Sequence, residues 1–303
     1  MPIDNQFAGY PPVTGDPPLP SESLPAPEIR RAVDPNDPPW SVALAFLVWV
    51  LSIAVQFVTQ IILMAGYLIY AGWSPSSPNA AQSLTTLSLN KTGVFLQVFA
   101  LFPAHLLTLG MVWAVVTRFG KYPFLRTIGW EWPSRLWPWL SVALGFVLFG
   151  AGIAIAKTVG AETPTFLEQL INSSTATRYS IAFLATFTAP VVEEFIYRGV
   201  LFAALQRLAG AVVAGVATLF LFTLIHVPQY WPNLGVLAAV GFLSIALTVI
   251  RAKTGRLLPC VVIHFVFNGI QSAWLLLEPH LSNPPTVPEP APSLFMMLLV
   301  GYF

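Results

Sequence analysis

Apolar residues form seven long segments along the chain, separated by polar connections. The segments are residues 40–72, 93–117, 137–156, 180–206, 211–225, 234–250 and 257–277. A helix crosses the core of a bilayer with about 20 consecutive apolar residues, and most of these segments approach or exceed that length. The pattern therefore predicts an all-α fold, a polytopic transmembrane bundle of about seven helices.

The two ends of the chain lack this pattern. Residues 1–39 are rich in proline and contain no apolar run, which predicts a disordered cytoplasmic tail. Residues 279–303 begin as a proline-rich linker and end in a short apolar piece, residues 293–303, which is either interfacial or a partial eighth helix. The predicted transmembrane domain occupies residues 40–278.

Basic residues accumulate in alternate connections. One set of connections, together with the tail, contains Arg30, Arg31, Arg118, Lys121, Arg126, Arg135, Arg207, Arg251, Lys253 and Arg256, whereas the other set contains Lys91, Lys157 and Arg178. Cytoplasmic loops of membrane proteins carry an excess of Lys and Arg. The count predicts a cytoplasmic N-terminus for a multi-pass protein, and we expect its location to be a bacterial plasma membrane.

Composition excludes several other classes of protein. Hydrophobic residues make up 56% of the 303 residues and charged residues only 9%, whereas soluble domains carry about 25% charged residues. The net charge of +1, from 14 Lys and Arg against 13 Asp and Glu, argues against nucleic acid as a partner. The single cysteine, Cys260, excludes an internal disulfide and a cysteine-cluster metal site.

Three apolar segments contain ionisable or amide side chains. The fourth holds Glu193, Glu194 and Arg198, the fifth ends at His226, and the seventh holds His264 and Asn268. Ionisable residues inside a membrane are costly to bury and commonly mark a functional site. At a rise of about 1.5 Å per residue, the three clusters lie at similar depths from the basic connections. We therefore expect one polar pocket within the membrane.

The spacing in the fourth segment predicts different partners for two adjacent glutamates. Glu194 precedes Arg198 by four residues, the arrangement of an intrahelical ion pair. Adjacent residues of a helix point in different directions, so we expect Glu193 to face another partner and another cavity. In that position Glu193 can take a proton from a water molecule and later return it to a leaving amine.

The two residues of the seventh segment are suited to a different task. His264 and Asn268 are four residues apart and share one helix face. Their N–H groups can donate to an oxyanion that forms on a scissile carbonyl, while His226 can help Glu193 to hold the water. No Ser-His-Asp arrangement, cysteine nucleophile or H-E-x-x-H motif is found among the pocket residues. His105 in the second segment has no motif partner and is interpreted as structural or cavity-lining.

These motifs resemble those of the CPBP intramembrane proteases, which include the type II CAAX prenyl endopeptidases and the bacterial Abi and lysostaphin-resistance-like proteins. Residues 189–201 read A-P-V-V-E-E-F-I-Y-R-G-V-L and contain the family's E-E-x-x-x-R motif. The F-x-x-x-H motif matches Phe222 and His226, and the H-x-x-x-N motif matches His264 and Asn268. The resemblance covers about residues 180–270.

The resemblance implies an endopeptidase that hydrolyses peptide bonds of a membrane-associated protein or peptide in the lipid bilayer. In the implied roles, Glu193 is the general base assisted by His226, an oxyanion site is formed by His264 and Asn268, and the orienting pair is Glu194 and Arg198. The family was long described as metalloproteases, and a zinc ion would take Glu193, His226 and His264. We favour a mechanism without a cofactor, because no local zinc-ligand spacing is present and asparagine is a poor zinc ligand.

Two other function classes stay open on the residues alone. A membrane transporter or channel would also bury Glu, Arg and His, but it would usually show inverted repeats, and none is apparent in the sequence. A non-catalytic membrane scaffold would keep the helices while losing a catalytic residue, and none of the motif residues is missing. The substrate, its cleavage site and any role for prenylation do not follow from the sequence.

Overall fold

A computed structural model describes residues 33–134, 136–160 and 165–281, and these residues form helices without any strand. The predicted tail up to residue 32 and the predicted apolar piece at residues 293–303 lie outside the described residues. The all-α fold expected from the apolar segments is confirmed.

The described helices are listed here in chain order. They are α1 (Val42–Tyr70), α2 (Ala80–Leu89), α3 (Lys91–Phe99), α4 (Leu101–Thr117), α5 (Phe124–Ile128), α6 (Pro138–Val159), α7 (Phe166–Ser173), α8 (Thr175–Phe183), α9 (Ala189–Glu194), α10 (Phe202–Tyr230), α11 (Leu234–Thr254) and α12 (Leu258–Leu281). Two π-helical segments, π1 (Leu184–Thr188) and π2 (Phe195–Leu201), flank α9.

Six helical runs among the described residues are long and apolar enough to cross a membrane. They are Val42–Tyr70, Lys91–Thr117, Pro138–Val159, Thr175–Tyr230, Leu234–Thr254 and Leu258–Leu281. These runs overlap all seven predicted segments, because the long fourth run contains both the fourth and the fifth segment. The protein is therefore an integral membrane protein with a polytopic helix bundle.

The long fourth run reverses its direction at Gly210. The backbone angles of this residue, φ 82° and ψ 167°, are not helical, and glycine adopts a positive φ without steric cost because it has no Cβ. Beyond Gly210 the ring of Phe222 packs on that of Tyr197, with the ring centroids 5.1 Å apart. A straight helix would separate these residues by roughly 37 Å, so the two arms of the run lie side by side.

Two short helices occupy connections of polar composition. Residues 74–90, which read as a loop by composition, contain α2, and the connection after α6 contains α7. The start of α7 is a capping box, in which Thr165 Oγ1 accepts from the Glu168 N–H at 3.3 Å and Glu168 Oε2 accepts from the Thr165 N–H at 3.1 Å. Local capping of this kind forms a helix without requiring an apolar segment.

The segment π2 lies at the centre of the bundle. All seven of its residues are buried, and five of them pack into one apolar cluster with residues of α1, α4, α5 and α10. A Cβ added to Gly199 would lie 2.9 Å from the side chain of Ile128, so glycine permits the close approach of α5. The dense packing fixes the helix that carries the E-E-x-x-x-R motif.

Residues 35–40, which we call the strap, cross the end of the bundle before α1. Arg251 donates to Asn36 Oδ1 at 2.8 Å, to the Pro35 carbonyl at 2.9 Å and to the Arg198 carbonyl at 3.2 Å. The indole of Trp40 donates to the Val200 carbonyl at 3.1 Å. The strap is thereby joined to π2 directly and through Arg251.

Two more arginines hold the strap from other helices. Arg118 donates to the Pro39 carbonyl, and Arg207 donates to the carbonyls of Pro38 and Trp40. These contacts differ from the disordered tail predicted up to residue 39, because the proline-rich stretch offers carbonyl acceptors to guanidinium donors. The three arginines that donate to the strap come from connections predicted to lie on one side of the membrane. The cytoplasmic placement of that side stays a prediction.

Candidate active site

The two adjacent glutamates end α9, between the two π-helical segments. Pro190 near the start of α9 has no N–H and cannot complete the α-helical bond to the carbonyl four residues before it. Single turns of π-helix inside a longer helix occur frequently at functional sites. Here they interrupt the helix on both sides of Glu193 and Glu194.

Glu194 and Arg198 form the predicted intrahelical ion pair. Arg198 Nη1 lies 2.9 Å from Glu194 Oε1, and both side chains are fully buried. Arg198 Nη2 also donates to the carbonyl and the hydroxyl of Ser244, at 3.0 and 2.9 Å. The guanidinium carbon of Arg198 lies 4.7 Å from the ring centroid of Phe222. We call Glu194, Arg198 and Ser244 the anchored half of the site.

The ring of His264 lies between the two glutamates. Its Nδ1 is 2.9 Å from Glu194 Oε1, and its Nε2 is 3.7 Å from Glu193 Oε2. The expectation that Glu193 and Glu194 face different partners was wrong, because an imidazole presents one nitrogen to each of two long carboxylate side chains. Because a carboxylate oxygen can only accept a hydrogen bond, His264 Nδ1 carries the hydrogen of the contact with Glu194. The other ring nitrogen, Nε2, is the one that lies near Glu193.

His226 is held by its own helix. Its Nδ1 lies 2.7 Å from the carbonyl of Phe222, and since a carbonyl only accepts, Nδ1 is the donor. In the neutral ring Nε2 is then an acceptor, a form that can receive a hydrogen bond from water. The ring of Tyr230 stacks on that of His226, with centroids 6.2 Å apart and planes 6° from parallel.

Asn268 joins the seventh predicted segment to π1. Its Nδ2 donates to the carbonyl of Ala185 at 2.9 Å, and the second hydrogen on the same nitrogen is available to another acceptor. His105, by contrast, lies 2.7 Å from Thr188 Oγ1 at the end of π1 and is not in the wall of the cavity described below. This contact gives His105 a structural role.

One cavity of about 860 Å³ brings the motif residues of all three segments together. Its wall contains Glu193, Phe222, His226, His264 and Asn268. Glu194 and Arg198 do not line the cavity, because they lie behind His264. The motif residues of the three segments therefore share one pocket among the described residues, as predicted, and the placement of that pocket within the membrane stays a prediction.

Glu193 is the carboxylate that faces this cavity. Its Oε2 is buried and has no hydrogen-bond partner among the described residues. The side chain is 5% exposed, and His264 Nε2 lies 3.7 Å from its Oε2. The arrangement leaves an acceptor oxygen next to the cavity.

Sequence reasoning missed the partners of Arg198 on α11. Ser244 and Thr248 lie four residues apart on one helix face, and Thr248 Oγ1 lies 3.4 Å from Arg198 Nε. A Ser or Thr pair at this spacing inside an apolar segment is the signal that could have indicated a buried polar contact. Arg251 was interpreted only as a basic loop residue, whereas it is fully buried.

The three residues named for zinc are Glu193, His226 and His264. No three His, Cys, Asp or Glu side chains within the described ranges could hold a metal ion together. Glu194 occupies His264 Nδ1 and the Phe222 carbonyl occupies His226 Nδ1. Each ring is left with Nε2 as its available nitrogen, and zinc ligands would have to lie at about 2.0–2.2 Å from one point. The expectation that no cofactor is needed stays a prediction.

The comparisons with known proteins agree with the motifs. Residues 175–270 match the family model described as Rce1-like, type II CAAX prenyl endopeptidase Rce1-like. The match begins at the first residue of α8 and ends within α12, and it contains all three motifs. The predicted resemblance to this protease family is confirmed over these residues. Comparison with curated proteins and with solved structures finds no match.

Proposed function

Because the chain carries the Rce1-like segment of the type II CAAX prenyl endopeptidases, we propose that it cleaves a membrane-associated protein or peptide by means of glutamate-activated water. The observation that carries the proposal is the placement of Glu193. Its Oε2 is buried without a hydrogen-bond partner among the described residues, at the wall of the cavity and 3.7 Å from His264 Nε2. A carboxylate so placed has a free lone pair for the proton of a water molecule.

The first step is the attack of water on the scissile carbonyl. Glu193 accepts one proton from the water, and His226 Nε2 accepts the other hydrogen as a hydrogen bond and orients the oxygen. The water oxygen forms a bond to the carbonyl carbon, and the carbonyl oxygen becomes an oxyanion. Both groups lie in the cavity wall, which supports a water position between them.

The oxyanion is stabilised by donors on α12. The second N–H of Asn268 is one donor, and an Nε2–H of His264 is the other, while the Nδ1–H of the same ring donates to Glu194. The tetrahedral intermediate collapses as the C–N bond breaks, and Glu193 returns its proton to the leaving amine. The carboxylate is thereby restored for the next cycle.

The anchored half supports this chemistry from behind. Glu194 holds the His264 ring through Nδ1, and Arg198 holds Glu194 at 2.9 Å. Arg198 is in turn fixed to α11 through Ser244. Contacts that hold a general base and an oxyanion donor in place reduce the entropy cost of reaching the reactive geometry.

The experiment uses the purified full-length protein in lipid nanodiscs and a membrane-anchored reporter peptide, with and without a prenyl group. Glu193→Gln keeps the shape of the side chain but cannot accept a proton, so the cleavage rate should fall roughly 10²–10⁴-fold. Glu131→Gln makes the same chemical change in a half-exposed ion pair with Arg256 and should keep the wild-type rate. Full activity in Glu193→Gln would overturn the proposed mechanism.

The absence of a metal requirement is also part of the proposal. Wild-type protein that has been stripped of metal, with the metal content verified, should cleave the reporter at the untreated rate. Activity that disappears on stripping and returns in proportion to added zinc would favour a metalloprotease instead. The Glu131→Gln preparation, stripped in parallel, controls for damage by the chelator.

A further inference from the structure

Gln229 is a second polar residue of the cavity wall with an unused hydrogen-bonding atom. It follows His226 by three residues on α10, so the two side chains share one helix face. Gln229 is 1% exposed, and its Nε2 is buried without a hydrogen-bond partner among the described residues. Buried polar groups in native proteins are nearly all paired, so an unpaired amide calls for an explanation.

Part of the cavity wall offers no hydrogen-bond partner to a bound peptide. The lining residues contributed by α6 and α11 are apolar, and they include Phe149, Ile153, Val236 and Leu243. A peptide main chain that enters this space loses water from its N–H and C=O groups, and burying them without partners costs free energy. A residue that can pair with a peptide group is therefore needed on the wall that carries the polar side chains.

We propose that Gln229 is a substrate-binding residue whose side-chain amide pairs with a main-chain amide of the bound peptide beside the scissile bond. A carboxamide offers the same two groups as a peptide unit, an N–H donor and a C=O acceptor. Gln229 lies about one helical turn after His226, so its side chain lies beside the proposed water-binding group in the cavity wall. This inference rests on the proposed endopeptidase function and adds a determinant of substrate affinity to it.

Thr218 provides a matched comparison on the same helix. Its hydroxyl is fully buried and also has no hydrogen-bond partner in the described structure, but Thr218 is not in the cavity wall. An unpaired polar atom weakens folding at either position, since it has lost its water without gaining a partner. Only Gln229 is placed to regain a partner when a peptide binds.

The test compares Gln229→Met with Thr218→Val in the full-length protein in nanodiscs. Gln229→Met keeps the length of the side chain and removes both polar groups. We expect KM for the reporter peptide to rise roughly tenfold, within a range of about 5- to 100-fold, while kcat changes less than about twofold because the lost contact is uniform binding. The melting temperature should equal or exceed the wild-type value. Thr218→Val should also keep or raise the melting temperature, with an unchanged KM.

A structural role for Gln229 would give the reverse result, a lower melting temperature at constant KM, and that outcome overturns the inference. Should Gln229→Met fail to fold, Gln229→Leu repeats the comparison with a branched side chain. Peptide binding to Gln229→Met in the Glu193→Gln background gives a reading that needs no turnover, and its Kd should also rise about tenfold. Wild-type cleavage with unchanged KM in Gln229→Met defeats the inference alone, whereas a wild-type protein that never cleaves defeats the proposed function and the inference together.

Discussion

Glu193 and Glu194 are neighbours in the chain and contact opposite nitrogens of the same imidazole, yet their surroundings differ. Glu194 Oε1 is held by Arg198 and by His264 at 2.9 Å each, and no part of its side chain is exposed. Glu193 has no cation at that distance, and its only ion-pair neighbour in the described residues is His264 at 3.7 Å. One carboxylate is fixed inside the protein and the other faces the cavity.

The difference separates what holds the site together from what reacts. A buried charge that is paired and hydrogen-bonded contributes to a defined arrangement, and removal of one partner leaves the other uncompensated. A carboxylate with a free acceptor atom beside a cavity is instead able to exchange a proton with a bound molecule. Substitutions in the anchored half should therefore lower the stability of the protein most, whereas substitutions at the cavity wall should lower the cleavage rate most.

The largest expected effect is on the anchored half. Arg198→Ala leaves the buried Glu194 without its cation, which should destabilise the protein by about 3–5 kcal/mol and abolish cleavage together with the fold. The measurement is the melting temperature and cleavage rate of the same detergent preparation. Arg207→Ala, which removes a guanidinium that is 41% exposed, should lower the melting temperature far less. Equal melting temperatures for Arg198→Ala and wild type would remove the distinction between the two glutamates.

The next effect concerns the cavity wall. Asn268→Ala removes one oxyanion donor, so the cleavage rate should fall roughly 10²–10³-fold and leave residual activity from His264. Loss of the hydrogen bond to the Ala185 carbonyl should cost only about 1 kcal/mol of stability. Single-turnover kinetics and thermal unfolding of one preparation measure both. If Asn268→Ala loses as much stability as Arg198→Ala, Asn268 mainly holds the fold together and is not primarily an oxyanion donor.

The smallest expected effect is on the contact between the strap and π2. Trp40→Phe keeps an aromatic ring in the buried position and removes the donor to the Val200 carbonyl, which should cost about 0.5–1.5 kcal/mol. Thermal unfolding measures the loss, with Trp132→Phe, at a residue that is 36% exposed, as the control. The cleavage rate should stay close to that of wild type at temperatures well below unfolding. A rate loss that exceeds the stability loss would show that the strap acts on the chemistry and not only on the fold.

The sequence predicts the helices and the pocket but not the contacts between distant parts of the chain. Apolar length and three motif spacings are local signals, and they suffice to place Glu193, His226 and His264 around one cavity. The shared contact of Glu193 and Glu194 with His264 depends on side-chain rotamers and on the π-helical turns, which helix periodicity does not encode. The pairing of Asn36 with Arg251, far apart along the chain, has no local signal at all.

The strap also defines how much of the N-terminal region the folded domain needs. A deletion that ends before Pro35 leaves every contact of Arg118, Arg207 and Arg251 with the strap intact. A deletion that extends through Trp40 deprives three guanidinium groups of their acceptors in the strap, among them that of Arg251, which is fully buried while the strap is present. The shortest stable form of this protein should therefore begin at the strap and not at the first transmembrane helix.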